Sequence, residues 1–141
     1  NENKLFRRQQ GLIIALGQRG DRAAVPYLLP LVTSVYAEVR IALTETLVKL
    51  GETEQGEALI PLLRDRSSDV RTAAATALGV LGVQSAAGPL SAVAVDPDRR
   101  VAGAAQNALD NIKALPSAQN NVYLPSGPTA SPDDKQGPPN R

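Results

Sequence analysis

Two arginines stand out as candidates for gripping an anionic group. Arg40 and Arg71 lie 31 residues apart, and each follows a valine, Val39 and Val70. A guanidinium offers a planar fork of donors suited to a carboxylate or phosphate. The carboxylates gather in two places. Glu52, Glu54 and Glu57 form one group, and Asp96 and Asp98 stand beside Arg99 and Arg100. A metal site or an acid–base pair is one reading of the first group. A solvated helix N-terminus, where acidic groups favour the dipole, is the better one. Asp96-x-Asp98 lacks the further ligands and the glycine of a calcium loop. The chain has no His and no Cys, which removes the commonest general base, the thiol nucleophile and the usual zinc ligands. No Gly-rich loop follows a strand pattern, so a phosphate cradle of that type is also absent. The residues point to binding and away from catalysis, and neither a metal nor another cofactor is expected.

The composition agrees with that reading. Of the 141 residues, 43% are hydrophobic, nearly all Ala, Leu, Val and Ile, with one Phe, three Tyr and no Trp or Met. Ala and Leu favour helix, and small aliphatic side chains suit closely layered helices. Net charge is +1, so the excess of basic residues that phosphate-backbone binding leaves is missing, and no nucleic acid is expected. No apolar run is long enough to span a bilayer. Residues 11–16 follow Arg7 and Arg8 but lead into no small-residue cleavage pattern, so they do not read as a signal peptide. A soluble chain is expected, with the cytoplasm slightly favoured. The chain opens on Asn1 and not Met, so a processed or excised piece is expected.

The elements that position these residues follow from an internal repeat. The 31-residue interval that separates Arg40 from Arg71 recurs in Val39, Val70 and Val101, in Leu47, Leu78 and Leu109, in Gly20, Gly51 and Gly82, and in Leu28, Leu59 and Leu90. Each unit reads as a short first helix, about 22–33, 54–65 and 85–95, then a longer second one, about 35–50, 67–81 and 97–114. In the second helices the apolar residues Val39, Ala42, Leu43, Leu47 and Leu50 follow helical spacing and make one stripe. Residues 4–19 match the second helix of a preceding, incomplete unit. Asp65 and Asp96 are expected to cap the second helices, with Pro97 in the first turn. Gly51 and Gly82 fall where a helix ends in a left-handed residue. One pair of this size cannot bury its stripe alone, so neighbours must stack.

At these residues the chain resembles the HEAT-like repeats of the phycobilisome-lyase type. The matching pieces are Leu59-Ile60-Pro61-Leu62-Leu63-Arg64-Asp65, Asp69-Val70-Arg71 and Ala77-Leu78-Gly79, and the likeness spans roughly residues 4–114. It implies an all-α, right-handed α-solenoid of about three helix pairs plus one preceding helix. It also implies a structural role for the arginines: in related repeats they form a ladder with the turn aspartates, so Arg40 and Arg71 would meet Asp65 and Asp96. The third unit departs from the pattern, with Ala102 where an Arg is expected. The family includes chromophore-attaching lyases, so a subunit or fragment of such an enzyme is one alternative, and a nucleic-acid binder is another. Most members are interaction scaffolds, and the expected function is binding of a protein or peptide, not enzymatic catalysis or capture of a small molecule.

In arrays of this type the second helices line the concave side. The positions expected to face outward there form three columns: Ile13, Thr44, Ala75 and Gln106; Ile14, Glu45, Thr76 and Asn107; and Gly17, Val48, Gly79 and Asp110. The partner-binding residues expected from them are Thr44, Glu45, Val48, Ala75, Thr76, Gly79, Gln106, Asn107 and Asp110. The small residues Ala75, Thr76 and Gly79 would let a partner's backbone come close. Ile13 and Ile14 are expected to pack against the absent first helix of the incomplete unit. Residues 115–141 hold six of the 11 prolines and few aliphatics, and read as a disordered tail appended to a 1–114 repeat domain.

Overall fold

The computed structural model describes the backbone of residues 2–123 and the side chains of residues 2–114. Every regular element among them is helical. The long helices are α1 (Glu2–Arg19), α3 (Ala37–Leu50), α4 (Ser68–Leu81) and α6 (Arg99–Tyr123). They stack side by side in chain order, α1 on α3, α3 on α4 and α4 on α6. A second layer holds the connecting helical segments, including the short helices α2 (Val25–Leu28) and α5 (Ala87–Val93). The core lies between the two layers. Val39, Val70 and Val101 have no exposed surface, and neither do Leu47 and Leu78.

The connecting segments are tighter than expected. Leu29–Thr33 and Glu54–Arg64 are 3₁₀ helix instead of α-helix. Pro30 and Pro61 sit inside or at the start of them. A proline supplies no amide hydrogen and its ring clashes with the carbonyl four residues back, so the chain settles into i→i+3 bonding.

The ends of the long helices repeat one device three times. Gly20, Gly51 and Gly82 have φ of 71°, 68° and 67°. The amide of Gly51 donates to the Val48 carbonyl, and that of Glu52 to Leu47. Gly20 with Asp21, and Gly82 with Val83, do the same one repeat away. This left-handed turn satisfies carbonyls that would otherwise lack a partner.

The helix starts differ from expectation. Ser67, not Asp65, is the N-cap of α4, and its hydroxyl accepts from the Val70 amide. Asp65 acts two residues earlier, where its carboxylate accepts from the Ser67 amide and closes an Asx turn. Asp96 accepts likewise from the Asp98 amide, and Asp98 accepts from that of Arg100 at the start of α6. Pro97 therefore precedes the helix instead of lying in its first turn. At its other end α6 runs to Tyr123, beyond the expected 114. Residues 124–141, the rest of the expected tail, lie outside the described residues.

Candidate functional site

The arginines join neighbouring repeats. Arg40 sits on the first turn of α3 and its side chain is only 6% exposed. Its Nε donates to Asp65 Oδ2 at 2.7 Å and its Nη2 to Asp65 Oδ1 at 2.8 Å. The remaining nitrogen, Nη1, donates to the Ser34 carbonyl at 2.6 Å. Arg71 repeats the pattern: Nε and Nη2 donate to Asp96 at 3.0 and 3.4 Å, and Nη1 donates to the Asp65 carbonyl at 2.8 Å. Asp65 thus accepts from both arginines, through its side chain from one and its main chain from the other. Burial pushes its carboxyl up, but the hydrogen bonds from Arg40 and the Ser67 amide, with the charges of Arg40 and Arg66, outweigh that and leave it below the ordinary value of 3.8. A cleft of about 340 Å³ opens over this rung, yet the polar groups of Arg40 and Asp65 within it already serve each other.

The ladder changes character at the third unit, where Ala102 replaces the arginine. Arg100 takes over part of the task at the surface. It reaches back to Asp69 at 3.0 Å and holds Asp98 of its own turn at 3.0 Å. The Arg100 side chain and amide hold the Asp98 carboxyl down to about 2.

The expected binding columns divide in two. Glu45, Thr76, Gln106, Asn107 and Asp110 are exposed and Val48 is half-buried. Ala75 and Gly79 are buried and line neither of the grooves between the long helices, and Thr44 is buried except where it edges the groove between α3 and α4. That is a correction with a clear cause, since these positions lie where one long helix leans on the next. A methyl built on Gly79 would stand 2.6 Å from Cα and Cβ of Ala108. The small residue serves the approach of α6 and not of a partner. Thr44 turns its hydroxyl to the Arg40 carbonyl at 2.8 Å. At the N-terminal end, Ile13 has no exposed surface, and its carbonyl accepts from Thr46 of α3 at 3.3 Å. Ile13 is thus covered within the described chain, and Ile14 is half-buried against the same core.

Two grooves run between the long helices. The one between α3 and α4 holds about 370 Å³ and is lined by Thr44, Glu45, Val48, Lys49, Ala73, Thr76, Ala77 and Val80. The one between α4 and α6 holds about 400 Å³ and includes Thr76, Val80, Arg99, Arg100, Asn107 and Asn111. Thr76 and Val80 line both. Gln106 and Asp110 lie outside the lining of either groove and pair with each other at 3.2 Å. The sequence columns missed Lys49, Val80, Arg99 and Arg100. Val80 was within reach: it lies one helical turn beyond Thr76 and is an exposed apolar residue, at 57%. The basic residues bring cations to a strip that the columns left without any, although Arg100 is matched by Asp98 and Asp69. Among the described residues no group of three or more acidic side chains is placed to hold a metal ion. No helix of the described residues is long and apolar enough to cross a membrane.

Stacked helix pairs, a left-handed glycine closing α1, α3 and α4, and an arginine–aspartate ladder define a helical-repeat protein. The chain belongs to the HEAT-repeat family: it matches HEAT repeats over residues 6–79 and 56–121. The match is to HEAT repeats in general and does not single out the lyase type. A search of curated proteins finds no significant match.

Proposed function

We propose that this chain is a protein-binding scaffold that receives a peptide segment of its partner along the exposed faces of α3, α4 and α6, the concave side in arrays of this family. The observation that carries the reading is the sharing of Thr76 and Val80 by both grooves, which joins them into one track across three repeats. Extended surfaces of this kind suit peptide and protein partners. The residues assigned to contact are Glu45, Val48, Thr76 and Asn107, with Lys49 and Val80 added, and Gln106 and Asp110 at the margin. Val80 supplies the apolar anchor, while Glu45 and Lys49 give the track both signs of charge within one turn of α3. Thr44, Ala75 and Gly79 support the track from beneath.

The test is an affinity capture from native lysate with the unaltered chain and with a variant carrying Glu45→Lys and Thr76→Arg. Both positions are exposed, so the fold is expected to survive, as circular dichroism would verify. A protein captured by the first and lost by the second places its binding on this track. Recovery of the same proteins by both sinks the proposal.

A further inference from the structure

One flank of α6 carries a row of side chains that the other long helices lack. Arg99, Gly103, Asn107 and Asn111 follow one another at steps of four, and all of them line the groove between α4 and α6. Steps of 31 put Ser68, Thr72, Thr76 and Val80 in the same row of α4, and Ala37, Ile41, Glu45 and Lys49 in that of α3. The repeat therefore does not dictate the two carboxamides. Asn107 and Asn111 are both exposed. Among the described residues, the α6 side chains that hydrogen-bond are those of Arg100, Gln106 and Asp110. The ion pairs of the same residues take in Arg100 and not Arg99. Both walls of the groove belong to helices that stack on each other, and Ala104 and Ala108 give it a floor of small side chains.

The spacing of this row matches a peptide backbone. Four residues of helix advance about 6 Å along the axis. Two residues of an extended chain advance about 6.6 Å, after which the same edge presents an amide and a carbonyl again. A carboxamide donates and accepts at once. Asn107 and Asn111 can therefore each pair with the N–H and C=O of alternate residues in one strand. Gly103 leaves room beside them, since a Cβ there would meet nothing within 4 Å. Arg99 stands about 18 Å from Asn111 along the axis, a span of about five residues of extended chain. Its guanidinium suits a carboxylate. On the opposite wall, Thr76 and Val80 face the strand's other edge. The chain's own C-terminal segment is a poor occupant. Pro125, Pro128 and Pro132 interrupt it, and a proline has no amide hydrogen to give.

We propose that the groove between α4 and α6 binds an extended segment of a partner protein through its backbone. Asn107 and Asn111 read two alternate residues, and Arg99 holds an acidic side chain about five residues away. The inference rests on the reading of this side as a peptide track, and it names the chemistry that the track receives. The segment must carry amide hydrogens at the alternate positions, which excludes proline there. It must also carry an Asp or Glu at the end that meets the start of α6. Selection then comes from the acidic residue and from a proline-free stretch, more than from the side chains between them.

The experiment titrates the full chain into labelled, end-blocked peptides of eight residues, read by fluorescence anisotropy. The probe holds alternating Thr and Val between two terminal Glu. A second peptide has Lys in place of each Glu. Two more carry the probe sequence with N-methyl groups on one or the other alternate set of amides. The Glu-ended probe is expected to bind at least about tenfold more tightly than the Lys-ended one. Methylating one set of amides should abolish binding and methylating the other should leave it nearly unchanged, because one edge of a strand shows only alternate amides. Asn107→Leu with Asn111→Leu should weaken the probe at least about tenfold, and Arg99→Glu should turn the preference to the Lys-ended peptide. These side chains are exposed, so folding should hold, with circular dichroism as the check. Equal binding of the Glu-ended and Lys-ended peptides, equal effects of the two methylated sets, binding of none, or indifference to the double Asn variant would each overturn the proposal. So would tighter binding of the probe after Asp133→Asn with Asp134→Asn, because the groove would then belong to the chain's own C-terminal segment. A lysate partner lost with Glu45→Lys and Thr76→Arg but kept by the double Asn variant sinks this inference alone. A partner kept by both variants sinks the track reading.

Discussion

The Arg40 guanidinium meets both carboxylate oxygens of Asp65, at 2.7 and 2.8 Å, across 25 positions of sequence. Neither side chain is more than 8% exposed. The next rung, Arg71 with Asp96, has the same connectivity but longer bonds and more exposure, 19% and 11%. Removing one partner of a buried pair leaves the other charged and unmatched, at a cost of about 3–5 kcal/mol. Arg40→Ala is expected to destabilise by that amount, because Asp65 is left buried and the Ser34 carbonyl also loses its donor. Arg71→Ala should cost less, about 1–2 kcal/mol, since water can reach the groups it frees. Urea unfolding of the two variants gives the comparison. Equal losses, or a larger loss at Arg71, would contradict the ranking. Arg40→Lys should rescue little, because an ammonium cannot span both oxygens and the carbonyl together.

Acid should loosen the ladder in a defined window. Asp65 titrates below 3.8 when folded, and Asp98 falls to about 2. A carboxyl with a depressed folded pKa favours the native state at every pH above its unfolded value, about 3.9. That contribution is lost as the pH falls through the folded value. Stability should therefore show little dependence on these two groups between pH 7 and 5, then drop below about pH 4. Asp65→Asn should lower the plateau and flatten the acid limb. The chain has no histidine, so no imidazole steepens the slope near pH 6. Urea midpoints measured from pH 7 down to pH 2.5 check this. An unchanged acid limb in Asp65→Asn would show that Asp65 does not carry the effect.

Leu78 sits at the centre of the stack with no exposed surface. Truncation to Ala removes buried methyl groups and leaves a cavity between two layers that repack only in part. The expected loss is about 2–5 kcal/mol. Leu12→Ala, at a position 60% exposed, should shift stability by no more than about 0.5 kcal/mol. The contrast distinguishes a leucine of the buried stripe from an exposed one. It is read from the denaturant midpoints of the two variants at constant slope.

The repeat made the frame legible. A residue that recurs every 31 positions has the same neighbours in every unit, so Val39, Val70 and Val101 are all buried, and Gly20, Gly51 and Gly82 all adopt positive φ. The HEAT-type likeness named the ladder pairs, and the geometry at Arg40 and Arg71 has the same connectivity twice. The candidate surface was less legible, because periodicity assigns a residue to a face of its own helix without saying how far the next helix leans over it. Thr44, Ala75 and Gly79 were lost to that lean. The 3₁₀ character of Glu54–Arg64 was signalled by Pro61 but masked by its leucines, which keep an apolar spacing that an α-helix could also use.

Gly79 gives the sharpest test of how the long helices approach one another. In register it corresponds to Gly17 and Val48, and its contact, Ala108, corresponds to Thr46 and Ala77. The three interfaces solve one packing problem with different volumes: glycine against threonine, valine against alanine, glycine against alanine. A Cβ at Gly17 would come within 3.0 and 3.1 Å of Cγ2 and Oγ1 of Thr46, a contact relieved by a shift of a few tenths of an ångström. A Cβ at Gly79 would come within 2.6 Å of the Ala108 backbone, which cannot turn away without moving α6. Gly79→Ala is therefore expected to destabilise by about 1–3 kcal/mol, despite the better helix propensity of alanine. Gly17→Ala should cost less. Gly103 lies on α6 with nothing within 4 Å of an added Cβ, so Gly103→Ala should stabilise by about 0.5–1 kcal/mol through propensity alone. Thermal and urea unfolding of the three variants measure the series. A neutral or stabilising Gly79→Ala would mean that α4 and α6 do not touch at Ala108, and the buried assignment of Gly79 would fall with it.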